Sequence, residues 1–410
     1  MKITNIKARE ILDSRGFPTI EVELYLEKNI GVASIPSGAS TGTNEALELR
    51  DKEERYLGKG VQKAIKNVLE IIKPNVINKE FNSQKELDNF LIELDGTENK
   101  TNLGANALLG VSLAFLKARA AEQNKELYEF LGDSYQMPRC MLNILNGGMH
   151  ADNNVDFQEF MIMPNFNEMT KQLEVASKVF HTLKKILKQN NLNTGVGDEG
   201  GFAPNLKNNK EALSLIVKAI EEAGYTPGKD VNIALDIAAS SFYNQETKKY
   251  LVDNNYITKE ELLDMYIKLI KEYPIISLED PFEENDFESF SKLTKQTNIQ
   301  IVGDDLFTTN KKRLQKGIEM QAGNAILIKA NQIGTITETL ETIKLAKENN
   351  FKTIISHRSG ETLDTFISDF AVGLSLGQIK TGSITRGERI AKYNRLLKVE
   401  EQIKENTCDF

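Results

Sequence analysis

The chain has 410 residues, more than one average domain needs, and its 40% hydrophobic and 27% charged content is ordinary for a soluble globular protein. A formal charge of −8, from 51 basic against 59 acidic residues, argues against a nucleic-acid surface but leaves anionic small molecules open, because a local site can oppose the global sign. Cys140 and Cys408 sit in no metal-spacing pattern, "MKITNIKARE" has no apolar leader, and no run reaches about 18 apolar residues; together these predict a cytoplasmic protein with no membrane span.

The first third reads as an α+β unit. "FPTIEVELYLE" alternates, placing Ile20, Val22, Leu24 and Leu26 on one face of a half-buried antiparallel strand. "IPSGASTGTNE" follows as a small-residue loop. It lacks the lysine of a GxxxxGK[ST] phosphate loop, so a nucleotide-binding reading fails. Three helices are predicted next, over Val61 to Ile72, Gln84 to Leu94 and Ala105 to Ala121, the second opened by a Ser83/Glu86 capping box. The boundary is expected near residue 133, with 1–133 as the N-terminal domain and 134–410 as the second.

Beyond Pro138, short apolar runs alternate with amphipathic helices, one of them capped by Thr258 and Glu261. The runs share a feature. "VNIALD" ends in Asp236, "IISLED" in Glu279 and Asp280, and "IQIVGDD" in Asp304 and Asp305. "AILIK" ends in Lys329, "KTIISHR" in His357 and Arg358, and "GQIK" in Lys380. In a (β/α)8-type barrel such strand ends converge on one face, where these folds keep their active sites.

Asp236, Glu279 and Asp304 then offer three hard oxygen ligands with no sulfur or imidazole, a set that selects Mg²⁺ or a similar dication. Lys329, buried beside that charge, is either a structural ammonium paired with the carboxylates or an amine whose lowered pKa fits it for general base work. Arg358, Ser359 and Lys380 offer a guanidinium fork, a hydroxyl and a point charge for a phosphate or carboxylate. His357 reads equally as a packing residue. Gln158 and Glu159 lie on an earlier strand in "DFQEFMIM", and Glu199 lies in the glycine-flanked "GVGDEGGF". Together these groups suit removal of an α-proton from a phosphorylated acid, with a second acid assisting a departing group.

Over nearly its whole length the chain resembles the enolase family, through "DSRGFPT", "PSGASTG", "ELDGTENK", "GANALLGVSLA", "NGGMHADNNVDFQEFM", "GDEGGFAPN", "SLEDPF", "GDDLFTTN", "ILIKANQIGT", "SHRSGET" and "GQIKTGS". The resemblance implies a glycolytic lyase dehydrating 2-phosphoglycerate to phosphoenolpyruvate. In that reading Asp236, Glu279 and Asp304 hold Mg²⁺, and Lys329 takes the C2 proton. Glu199 assists loss of the C3 hydroxyl with Glu159 nearby, and His150 is an active-site histidine. Gln158, His357, Arg358, Ser359 and Lys380 contact substrate. Ser40 reaches both substrate and a second Mg²⁺ that arrives with it. The family also implies a homo-oligomer, dimer or octamer. Phe17 and Leu363 depart from the usual asparagine and glutamate, at positions with no proposed catalytic role. Two rival readings are a sister enzyme acting on a non-phosphorylated acid, and a barrel serving in surface adhesion.

Overall fold

The structure, a computed structural model, describes residues 1–38 and 42–408. Its N-terminal part is a three-stranded antiparallel sheet, β1 (Asn5–Leu12), β2 (Pro18–Tyr25) and β3 (Ile30–Ser34), with β2 in the middle. Ile20, Val22 and Leu24 are fully buried on one face, as the alternation predicts. They meet the helix Ala105–Glu122, which is buried on nearly every side. That explains its unbroken apolar sequence.

Two local expectations need correcting. The predicted helix from Val61 is α-helical only over Gln62–Lys66, widens to a π-helix over Asn67–Ile72, and resumes over Lys73–Val76. Pro74 lies in the resumed turn and has no N–H to donate back into the widened segment. At Gln84–Asp95, Ser83 accepts from the Glu86 amide, but Glu86 reaches the amide of Asn82 instead of Ser83. The box is therefore half formed, whereas Thr258 and Glu261 close theirs completely.

The remaining strands build a closed barrel, in the order β10 (Ile275–Glu279), β11 (Gln300–Gly303), β12 (Ala325–Ile328), β13 (Lys352–Ser356), β14 (Gly377–Lys380), β4 (Arg139–Asn146), β5 (Glu159–Pro164), β6 (Val231–Asp236) and back to β10. Three short strands, β7 (Tyr243–Asn244), β8 (Lys249–Val252) and β9 (Asn255–Ile257), form a separate small sheet. The barrel is mostly parallel, but β5 runs antiparallel to both β4 and β6. Its first residue therefore shares a rim with the last residues of the others.

Strand alternation divides the apolar side chains into two cores. Met141, Met161, Met163, Ala234, Val302, Ala325, Leu327 and Ile354 fill the barrel interior. Their neighbours Phe160, Ile162, Ile233, Leu235, Ile301, Ile326, Ile328 and Ile355 pack outward in the larger core shared with the helices.

The N-terminal part is fastened to the barrel by polar contacts. Ser37 and Gly360 exchange two backbone hydrogen bonds of 2.7 and 2.9 Å. The Asp88 carboxylate accepts from the amide of Thr337 at 2.8 Å and from its hydroxyl at 2.6 Å. These contacts bring the stretch around Gly38 and Glu45 over the barrel rim. Among the described residues no helix is long and apolar enough to cross a membrane.

Candidate functional site

The two-residue period explains why charged side chains gather at one end of the barrel. Ala325 and Leu327 point inward, so Lys329 does too. The same count sends Asp236 inward after Ala234, Asp304 after Val302, and Glu159 before Met161. Register then places three carboxylates side by side, with Glu159 opposite Asp236 on β5 and β6, and Asp236 opposite Glu279 on β6 and β10. A cavity of about 360 Å³ opens above them, lined by Glu159 and Asp236 and by His150, Gln158, Glu199, Asp304, Lys329, His357, Arg358, Ser359 and Lys380. Of the described residues assigned to the site from sequence, all but Glu279 border this one space; Glu279 is fully buried beside it, in contact with Lys380. Ser40 lies outside the described residues.

Two lysines stand among the carboxylates. Lys380 Nζ stands 2.8 Å from Asp236, 2.9 Å from Glu279 and 3.1 Å from Glu159. Burial presses its pKa down, but the three carboxylates outweigh this and hold it well above the ordinary lysine value. Lys380 thus lies among the acids, with its charge already engaged. Lys329 feels the Glu279 charge and pairs with Asp304. Burial lowers its pKa, yet Asp304 keeps it above the ordinary value, so here it is an ammonium.

The predicted ligand trio fits a hard dication in donor chemistry and burial. Asp236, Glu279 and Asp304 are buried, and Glu279 Oε2 has no hydrogen-bond partner. Burial first and then the Asp236 charge push Glu279 well above the ordinary carboxylate range, the usual sign of acids sharing too little positive charge. The trio is not the tightest acidic grouping. Among the described residues, Asp280, Asp304 and Asp305 bring three ligand atoms within 4.8 Å, as do His150, Glu159 and Glu199. In the first of these groups Asp280, at φ +41°, accepts the backbone amides of Asp304 at 3.0 Å and Asp305 at 2.7 Å, which orients the strand end that presents Asp304. Gln332 adds a 2.8 Å bond to Asp304, and Gln158 a 3.2 Å bond to Asp236.

A second constellation centres on Glu199. His150 Nδ1 lies 3.5 Å and His357 Nε2 3.2 Å from its Oε1, while the Asn143 amide donates to Oε2 at 3.0 Å. Burial presses Glu199 upward, but His150, His357 and Arg389 outweigh it and hold this acid well below the ordinary range. Glu159 goes the other way, raised well above its ordinary value by burial and then by the Glu199 charge. Two neighbouring carboxyls pushed apart in this way retain one proton between them.

At the third edge, Arg358 is buried and its guanidinium grips Glu45 at 3.0 and 3.3 Å and the Asn331 side chain at 3.2 Å. Arg15 reaches the Ser359 hydroxyl at 3.4 Å. Glu45, Asn143, Gln332 and Arg389 were not singled out from sequence, and Asp280 was read only as a charged strand end, with no role given to it. Of the first four, only Arg389 left a legible signal. It shares a helical face with Tyr393, Leu396 and Glu400, all buried, so a guanidinium stands where an apolar side chain is expected. A larger cavity of about 610 Å³ at the opposite end of the barrel, bordered by Arg139, Ile276, Gln300, Lys352 and Gln378, has no carboxylate in its lining.

Comparison with known families agrees with this fold. Residues 3–131 match the family model described as Enolase, N-terminal domain, and residues 134–409 match the one described as Enolase, C-terminal TIM barrel domain.

Proposed function

We propose, for a chain that belongs to the enolase family and is thereby an enolase-type lyase, the reversible Mg²⁺-dependent dehydration of 2-phosphoglycerate to phosphoenolpyruvate. The observation that carries this reading is the sorting of proton carriers around one cavity. Lys329 borders it as a potential base, and the Glu159–Glu199 pair as a potential acid.

Asp236, Glu279 and Asp304 would hold Mg²⁺, which when bound supplies positive charge toward the substrate carboxylate and relieves Asp304 of its hold on Lys329. Once that hold is relieved, burial and the nearby Arg358 and Lys380 charges favour the neutral amine, which takes the C2 proton onto Nζ. Lys380 steadies negative charge gathering on the substrate carboxylate. The proton of the pair rests on Glu159; Glu199, oriented by His357 and Asn143, takes it from there and passes it to the departing C3 hydroxyl. Arg358 and Ser359 receive the phosphate, for which a guanidinium fork is suited. Glu45 must release Arg358 for that to happen.

The test is direct. Incubating the protein with 2-phosphoglycerate and Mg²⁺ should produce an ultraviolet-absorbing enol phosphate. No product at high protein concentration rejects the reading.

A further inference from the structure

Arg389 sits in the first turn of the last helix, Gly387–Cys408, and is fully buried. A charge in that position needs partners: besides the Glu388 carboxylate 3.4 Å from its Nε, it has four hydrogen-bond partners. Its Nη1 lies 2.6 Å from His357 Nδ1 and donates at 2.7 Å to the Arg358 carbonyl. Its Nη2 donates to the carbonyls of Ser359 at 2.7 Å and Asp198 at 3.3 Å. One guanidinium thus ties the strand end carrying His357, Arg358 and Ser359 to the loop carrying Glu199.

The contact with His357 has a chemical consequence. A guanidinium has no acceptor atom, so Nδ1 of His357 must supply the lone pair and carry no proton. The ring proton then belongs to Nε2, which is the nitrogen 3.2 Å from Glu199 Oε1. We infer that Arg389 is a positioning residue that holds His357 as the Nε2–H tautomer, so that the imidazole faces Glu199 as a fixed neutral donor.

The backbone at Gly382 packs closely against both the ring and Arg389. Gly382 has φ +74°, and a Cβ there would meet Arg389 Cδ and the Glu199 carbonyl at 2.9 Å and His357 Cε1 at 3.1 Å. The charged groups facing His357 are Glu199, Arg389 and Lys380. Burial is the largest influence on the imidazole and, with the Arg389 charge, holds its pKa down at about 3 against the pull of Glu199. The role of Glu199 rests on the proposed dehydration, but the tautomer itself does not.

The chain has three histidines, so ¹⁵N-histidine labelling gives three imidazoles, assigned by His150→Gln and His181→Gln. In the native protein without substrate, His357 should show a protonated-type Nε2 and an unprotonated-type Nδ1, unchanged from about pH 5.5 to 8.5. In Arg389→Met the two signals should average as tautomers exchange, and the ring should titrate. Arg389→Lys should restore part of the native pattern. A ring that stays purely Nε2–H in the Met variant overturns the inference, because clamping carbonyls would not set a tautomer. If the Met variant does not fold, the native spectrum still decides. A proton on Nδ1, or an imidazolium at pH 7, overturns it. These spectra need no turnover, so failure to make an enol phosphate would reject the proposed function and leave this reading standing.

Discussion

Lys380 Nζ stands 2.8 Å from Asp236 Oδ2, deep in the mouth of the barrel, and the same amine reaches Glu279 and Glu159. With Lys329 paired to Asp304, two ammoniums stand among four buried carboxylates, and a dication would supply the further positive charge.

Mg²⁺ should therefore stabilise the folded protein. At one hundred times its dissociation constant the gain is about 2.7 kcal/mol, read as a rise in Tm that a chelator reverses. Glu279→Gln, which keeps the shape but removes the charge beside the unpartnered Oε2, should lose most of that rise. A full Mg²⁺-dependent rise in this variant would remove Glu279 from the ligand set.

Lys329→Ala should abolish exchange of the C2 proton of 2-phosphoglycerate with deuterated solvent, a loss of about 10³-fold or more, while leaving the far-ultraviolet circular dichroism unchanged. Exchange that persists near the native rate means another group is the base.

Glu199→Gln should separate the two half-reactions. Dehydration should fall by about 10²-fold or more, while C2 exchange, which depends on Lys329, falls much less. Equal loss of both would contradict the division between base and acid.

A further prediction concerns stability away from the site. Asp88 is fully buried where the N-terminal part meets the barrel, and burial raises its carboxyl from 3.8 to about 6 against its bonds from Ser112, Thr337 and Gln84. A carboxyl with a raised folded pKa binds its proton more tightly in the fold than in the unfolded chain. Its stabilising contribution is complete below the unfolded value and is lost as pH rises through about 6. The loss is about 3 kcal/mol. Asp88→Asn cannot titrate, so its stability relative to the native protein should improve by about that amount between acid and neutral pH in urea unfolding. A pH-independent difference between the two proteins would refute the raised carboxyl.

Much of the site was legible in the chain because strand alternation is a local rule. Once Ala325 and Leu327 are read as interior, Lys329 follows as interior two residues on, and the same holds for Asp236 after Ala234. The capping of Lys259–Glu272 by Thr258 and Glu261 was legible for the same reason, since all its partners lie within one turn. The π-helical stretch after Lys66 was not, because a widened turn leaves no periodic mark that an amphipathic pattern would miss.

The order of residues determined by itself that a row of acids and a row of bases would end successive strands on one rim, since period and run length need no distant partner. Only the folded chain decided which acid meets which base. The reversed course of β5 delivers Glu159 beside Asp236, closure of the barrel carries Lys380 across to both, and the last helix returns Arg389 behind His357. Those pairings join residues 32 to 221 positions apart at the extremes, 357 to 389 and 159 to 380, and are fixed by sheet closure and packing, which no local pattern records.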